Sequence, residues 1–307
     1  MTDPIRFENV HRSFEGEPVL AGLSLAVRPG EIYALLGRNG AGKTTALKIL
    51  LGFLHPMRGR SFVLGVPSGD LGPETRLKIG LVSEGAPMYS WMSVRSAIEF
   101  EAGTRPNFDR AYAEASLRRL GIATSKRIFK LSRGMRAQLA LVFAMAGDPE
   151  TLVLDDPAMG LDAVMRREFL DAMIDLLGRE GRAVLFSSHI LPDVERIADR
   201  VGILHGGRLI VDATVDDLKR RVQKRLASGV ADAAGIERRF PGVLRSRATQ
   251  EGLELTLLDF DGAREARLRG MCAVLSEPQT PTLEDLFIEL TTDRAAEALG
   301  AVAGGVA

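Results

Sequence analysis

Short apolar runs alternate with helical patterns through the first two-thirds of the chain. The runs Ile32–Leu36, Ile79–Val82, Leu152–Leu154, Ala183–Phe186 and Val201–Leu204 carry almost no polar residues, and helix-compatible stretches separate them. Strands apolar on both faces belong to a largely parallel sheet covered by helices on each side. The opening segment, with Ile5–Val10 and Leu23–Val27, predicts an antiparallel flank laid against that sheet. Between about Ala86 and Pro149 the strand signals stop and helices are predicted near Val94–Ala102, Ala111–Leu120 and Met135–Ala146. This stretch reads as a helical subdomain inserted into the sheet domain.

A different pattern begins after Ala213. A charged helix is predicted over Val215–Arg225, followed by strands Val243–Arg247 and Leu253–Leu258 and a last helix near Leu283–Leu290. The expected organisation is therefore α/β throughout: a sheet domain over residues 1–214, a small α/β appendage over 215–293, and a disordered tail over 294–307. Ala295–Ala307 is almost all Ala and Gly and has little to bury.

Composition narrows the setting. With 307 residues the chain buries a substantial core and accommodates one large domain plus a smaller one. Its 40 basic and 40 acidic residues cancel, so no global field favours a nucleic-acid partner. A single cysteine, Cys272, excludes an intrachain disulfide, and with four histidines it leaves no Cys/His zinc framework; both fit a reducing cytoplasm. The ordinary reading of Cys272 is a small buried apolar residue. Met1–Arg6 lacks the build of a signal peptide. The longest uninterrupted apolar run, Leu139–Ala146, is far short of the roughly 20 residues a membrane-crossing helix needs, so work at a membrane requires another, spanning chain.

Candidate chemistry centres on Gly37-Arg38-Asn39-Gly40-Ala41-Gly42-Lys43-Thr44, a complete phosphate-binding loop delivered by the apolar run Ile32–Leu36. Its glycines let the backbone wrap a triphosphate and aim N–H dipoles at the oxygens. Lys43 is placed to reach the β- and γ-phosphates, and Thr44 offers a hydroxyl to Mg²⁺. A helix expected from Thr44, continuing through Thr45 to Leu51, turns its positive end to the same phosphates. Thr151–Asp155 is an apolar strand ending in a carboxylate, suited to hold Mg²⁺ opposite the loop. Asp156 doubles the charge there. Ser187-Ser188-His189 follows another apolar strand, and a histidine at such a strand end is placed to hydrogen-bond a γ-phosphate.

In this order the motifs resemble the ATP-binding subunit of an ABC transporter, over roughly Ile5 to Asp212. Leu131-Ser132-Arg133-Gly134-Met135 occupies the family's signature position, Gly160-Leu161-Asp162 matches its D-loop, and His189 its switch histidine. Phe14 is placed like the aromatic residue that stacks on adenine, although an isolated Phe is more often core. The resemblance implies a P-loop NTPase fold, ATP and Mg²⁺ as ligands with Ser132, Gly134 and Asp162 among the ATP-binding residues, and a dimer in which Ser132 and Gly134 complete the site of a second subunit. It also implies a separate membrane permease as partner, which would hold the chain at the inner face of the cell membrane. Pro281-Thr282-Leu283-Glu284-Asp285-Leu286-Phe287 resembles the closing helix of bacterial multidrug and antimicrobial-peptide exporters, and is otherwise an amphipathic core helix.

Three positions depart from the family. Its catalytic Glu is replaced by Asp156, one methylene shorter, which predicts slow hydrolysis unless the backbone advances to compensate. Glu84 stands where the family has a Gln that touches Mg²⁺; it brings an anion to the metal and γ-phosphate, or else sits as a solvated loop carboxylate. Arg133 replaces the first signature glycine. Either it takes a strained glycine-like backbone, or its guanidinium reaches the opposing nucleotide or a neighbouring acid. The segment Gly85–Met92 gathers Met88, Tyr89, Trp91 and Met92, either as a groove for a permease helix or with Trp91 anchoring the helical subdomain. The leading expectation is a transporter ATPase of the exporting kind. The alternative is a soluble ABC-type ATPase acting in translation or DNA repair, which usually carries two nucleotide sites in one chain or long coiled coils.

Overall fold

The computed structural model describes residues 2–85, 87–177, 181–230, 236, 240 and 242–291. The expected tail, 294–307, lies outside the described residues. The chain divides into two compact units, Met1–Leu209 and Ile210–Ala307.

In the first unit, β1 (Ile5–Phe14) and β2 (Glu17–Val27) form the antiparallel flank with β4 (Arg58–Val63) and β5 (Val66–Pro67), in the order β2-β1-β4-β5. The core sheet is built from β3 (Ile32–Leu36), β6 (Ile79–Val82), β7 (Thr151–Asp155), β8 (Ala183–Ser188) and β9 (Arg200–His205) in the order β9-β3-β8-β7-β6. A further strand, β10 (Arg208–Thr214), lies beside β9. Parallel pairing sets Leu36 beside Ser188, Asp155 beside Ser187, and Val82 beside Leu154. The strands that carry Gly37, Asp155, Ser187 and Glu84 at their ends therefore finish at one edge, where open α/β sheets place their ligand sites.

Helix α1 (Lys43–Leu50) follows the loop after β3, and α2 (Pro73–Leu77) precedes β6. The inserted helices are α3 (Val94–Thr104), α4 (Arg110–Arg119) and α5 (Arg133–Met145), the first two capped by Ser93 and Asp109 side chains. Helix α5 buries most of its length because both α6 (Ala163–Leu177) and β6 pack on it. Helix α7 (Leu191–Ile197) begins two residues after His189.

The second unit holds α8 (Val215–Arg221), β11 (Val222–Ser228), β12 (Val243–Ala248), β13 (Leu253–Leu258), α9 (Gly262–Arg269), β14 (Val274–Leu275) and α10 (Leu283–Leu290). Its sheet is antiparallel, ordered β12-β13-β11-β14. The helix expected over Val215–Arg225 stops four residues early. Val222–Arg225 belongs instead to β11, because this segment pairs with β13 from Val222↔Leu258 to Ala227↔Leu253. Long-range ladder bonds thus override the helical leaning of a charged local sequence. Helix α10 spans the predicted residues and starts with a reciprocal capping box between Thr282 and Asp285. Cys272 is half-buried against the unit's core, and burial pushes its thiol pKa up.

Candidate functional site

Two glycines of the loop have a close neighbour that excludes a side chain. Gly42 sits at φ +105°, and a Cβ there would lie 2.8 Å from the Val19 carbonyl oxygen; a Cβ on Gly37 would lie 2.8 Å from that of Leu204. Gly42 also N-caps α1 without any side-chain cap, and no acidic residue stands in the first turn. The first-turn N–H groups are thus left for an anionic ligand. Lys43 is 8 % exposed and donates from Nζ to the carbonyls of Gly37 at 2.7 Å and Arg38 at 3.3 Å. Burial lowers its pKa, against the pull of Asp156 and Asp155, which raise it.

The other side of the cleft is polar and acidic. Asp155 Oδ1 accepts from Thr44 Oγ1 at 3.2 Å and from Ser187 Oγ at 2.7 Å. Asp156 takes the left-handed region at φ +43°, and its N–H donates to Ser187 Oγ at 2.9 Å. Its Oδ2 lies 2.6 Å from His189 Nδ1, while its Oδ1 is buried with no hydrogen-bond partner among the described residues. An orphaned buried carboxylate oxygen marks a place built for a further donor. These groups converge on a cleft of about 470 Å³ lined by Phe14, Asn39–Thr45, Glu84, Asp155, Asp156, Met159 and Ser187. Phe14 is 41 % exposed at the end of β1, with the Arg12 guanidinium 4.8 Å over its ring.

The donor set fits a nucleoside triphosphate with Mg²⁺. Mg²⁺ keeps several waters and takes only one or two protein oxygens besides phosphate, and Thr44 with Asp155 offers such a pair. Among the described residues no cluster of three His, Cys, Asp or Glu would hold a metal alone.

Ser132, Gly134 and Asp162 do not line this cleft. Ser132 caps α5 by accepting from Met135 N–H at 3.1 Å, and Asp162 accepts from Val164 and Met165 N–H at 3.0 and 2.9 Å, opening α6. Gly134 is buried, with Met165 Cβ 3.0 Å from where its own Cβ would stand. Arg133 is the first residue of α5 and is not among the positive-φ residues, so the strained alternative falls away. Its guanidinium donates 3.4 Å to the Gly160 carbonyl of the same chain. Trp91 is 64 % exposed, which removes the reading of it as an anchor. Tyr89 instead packs edge-on to Phe100 at 5.6 Å beside a groove of about 290 Å³ that Met88, Met92 and Phe143 also line. Ser187 was singled out by no motif; a hydroxyl at the buried end of an apolar strand was the available signal.

Comparison with known proteins agrees with this geometry. The family model described as "ABC transporter" matches residues 20–159. Nod factor export ATP-binding protein I of Burkholderia lata is 31 % identical over 309 residues, covering 94 % of this chain and 97 % of that protein. The chain belongs to the ABC transporter ATP-binding proteins. The ABC transporter ATP-binding protein YtrB of Bacillus subtilis is 32 % identical over 220 residues, 72 % of this chain and 75 % of that one. A solved structure of an ATP-binding subunit of an ABC transporter, 29 % identical, overlays with a TM-score of 0.62 across 70 % of this chain and 92 % of that one. The fold is thus that of a P-loop NTPase; members of this family bind and hydrolyse ATP, pair as dimers and work with membrane permease components. Among the described residues of this ABC protein no helix is long and apolar enough to cross a membrane.

Proposed function

We propose that this chain pairs with a second ATP-binding subunit around two ATP molecules and drives a separate permease, in the exporting direction, from the inner face of the cell membrane. The observation that carries the reading is the convergence of Lys43, Thr44, Asp155, Asp156 and Ser187 on one cleft, with His189 held to Asp156. In this reading Lys43 and the loop N–H groups bind the triphosphate, and Thr44 and Asp155, with Glu84 facing them, hold Mg²⁺. When bound, the ion neutralises charge developing on the phosphates. Asp156 orients the attacking water and accepts its proton, and His189 fixes the Asp156 carboxylate. Ser132 and Gly134 of the partner subunit close the site from the other side, with Asp162 at the same interface.

Export is supported by the printed names of full-length relatives, among them the Nod factor export protein of Burkholderia lata. Those names leave the soluble role in translation or DNA repair without support. The short Asp156 side chain supports slow turnover. The testing experiment is Asp156→Asn: ATP turnover is abolished while equilibrium ATP binding stays within about 2-fold, since only the proton acceptor is lost. Unchanged turnover would overturn the assignment. Copurification with a multispanning protein from solubilised membranes tests the transport reading, and recovery only with ribosomes or DNA would contradict it.

A further inference from the structure

Behind the His189–Asp156 contact lies a second pair of charged residues with no role assigned so far. Arg166 on α6 and Asp193 on α7 face each other with Nε and Oδ2 3.8 Å apart. Both atoms are buried, and neither has a hydrogen-bond partner among the described residues. Arg166 also donates from Nη2 to the Leu161 carbonyl at 3.3 Å, and its N–H donates to the Asp162 carbonyl at 2.9 Å. Asp193 stands in the first turn of α7, four residues beyond His189.

We infer that Arg166 and Asp193 are positioning residues for ATP hydrolysis, tying the Gly160–Asp162 loop to α7 and so setting His189 against Asp156. This rests on the hydrolytic roles proposed above for His189 and Asp156. The path is continuous: Leu161 carbonyl to Arg166, Arg166 to Asp193, α7 back to His189, and His189 to Asp156 at 2.6 Å.

Stability alone is a poor reason for such a pair. Nε and Oδ2 lie 3.8 Å apart without a hydrogen bond on side chains 29 % and 13 % exposed, and a part-buried pair of this geometry adds little stability. The same two helices already have an ordinary brace, the exposed Asp171–Arg196 ion pair. The surroundings of Asp193 connect it to the site. Burial pushes its carboxyl pKa up; Arg166, Arg196 and His189 pull it down, and Asp156 pushes it up. The pair thus sits within electrostatic reach of both residues it positions, and a shift of about 1 Å at a catalytic group can cost up to about 10²-fold in rate.

The test compares full-length variants by ATP turnover, equilibrium nucleotide affinity and melting temperature. Asp193→Asn, nearly isosteric, is expected to lower kcat about 10-fold with KM for ATP within about 2-fold, and Asp193→Glu to recover most of the loss. Arg166→Met alone is expected to lower Tm by leaving the half-buried Asp193 carboxylate without the Arg166 charge beside it. Adding Asp193→Leu restores Tm but leaves kcat about 10-fold down. Asp171→Ala, which removes the exposed brace, leaves kcat unchanged. Native kcat in Asp193→Asn, or a double variant whose kcat returns together with its Tm, overturns the inference. If Asp193→Asn does not fold, the double variant decides. Asp156→Asn is run alongside: normal turnover there means the hydrolytic reading has failed, whereas abolished turnover with a native Asp193→Asn means that only the positioning role has failed.

Discussion

His189 Nδ1 lies 2.6 Å from Asp156 Oδ2, and Asp156 holds that place from a left-handed backbone at φ +43°. A non-glycine residue in that region costs on the order of 1 kcal/mol or more. The cost is met locally, because the Asp156 N–H donates to Ser187 Oγ, which in turn donates to Asp155. Ser187 thereby fixes the Asp155 carboxylate and the Asp156 backbone together.

His189→Ala removes that anchor. Turnover is expected to fall at least about 10²-fold with nucleotide affinity within about 2-fold, as steady-state kinetics and equilibrium titration will establish. A parallel loss of affinity would place His189 in binding rather than in chemistry.

Gly42→Ala meets two obstacles: φ +105°, and a Cβ 2.8 Å from the Val19 carbonyl oxygen. A stability loss on the order of 1–3 kcal/mol is expected, with ATP binding lost. Gly40 also has positive φ, +83°, but a Cβ there meets nothing within 4 Å, so Gly40→Ala is expected to cost less. Chemical denaturation of both variants gives the ranking.

Lys43 yields a pH signature of the nucleotide-free chain. Its folded pKa is lowered from 10.5, chiefly by burial, so the unfolded chain binds the proton more tightly. Below the folded pKa the lysine is charged in both states and its burial costs stability. That cost is relieved as pH rises from the folded pKa towards 10.5. Lys43→Met is therefore expected to melt higher than the parent at pH 7, with the gain shrinking towards 10.5 in scanning calorimetry. The same variant is expected to lose ATP binding.

Glu84 is exposed and lines the cleft that Thr44 and Asp155 also line. Glu84→Gln is expected to weaken the apparent Mg²⁺ affinity measured in the presence of ATP by about 3- to 10-fold, from loss of one carboxylate charge near the ion. An unchanged Mg²⁺ affinity would leave Glu84 as a solvated loop residue.

Features decided within a few residues were legible in the sequence. The loop Gly37–Thr45 reads directly because its glycines, lysine and hydroxyls act through contiguous backbone. Helix Leu283–Leu290 reads directly because the Thr282–Asp285 box satisfies its own first turn. The apolar core strands declare themselves by lacking polar positions, and parallel strands buried on both faces leave that trace.

What the tertiary structure decided depends on residues far apart in the chain. Thr44 meets Asp155 across 111 positions and Ser187 meets Asp155 across 32, and only the register of β7 and β8 on the core sheet places these ends side by side. The same holds for Val222–Arg225, which local charge patterning made helical and pairing with β13 made extended. Arg133, ambiguous as a substitution for glycine, became an unstrained first residue of α5 reaching Gly160. Arg166 and Asp193 had no motif at all; their meaning comes from two helices bringing half-buried opposite charges together behind His189. The sequence alone determined which local chemistry is present, since propensity and loop shape are short-range. Which side chains share a low-dielectric space was left to packing, because burial and charge pairing are set by neighbours that the linear order keeps apart.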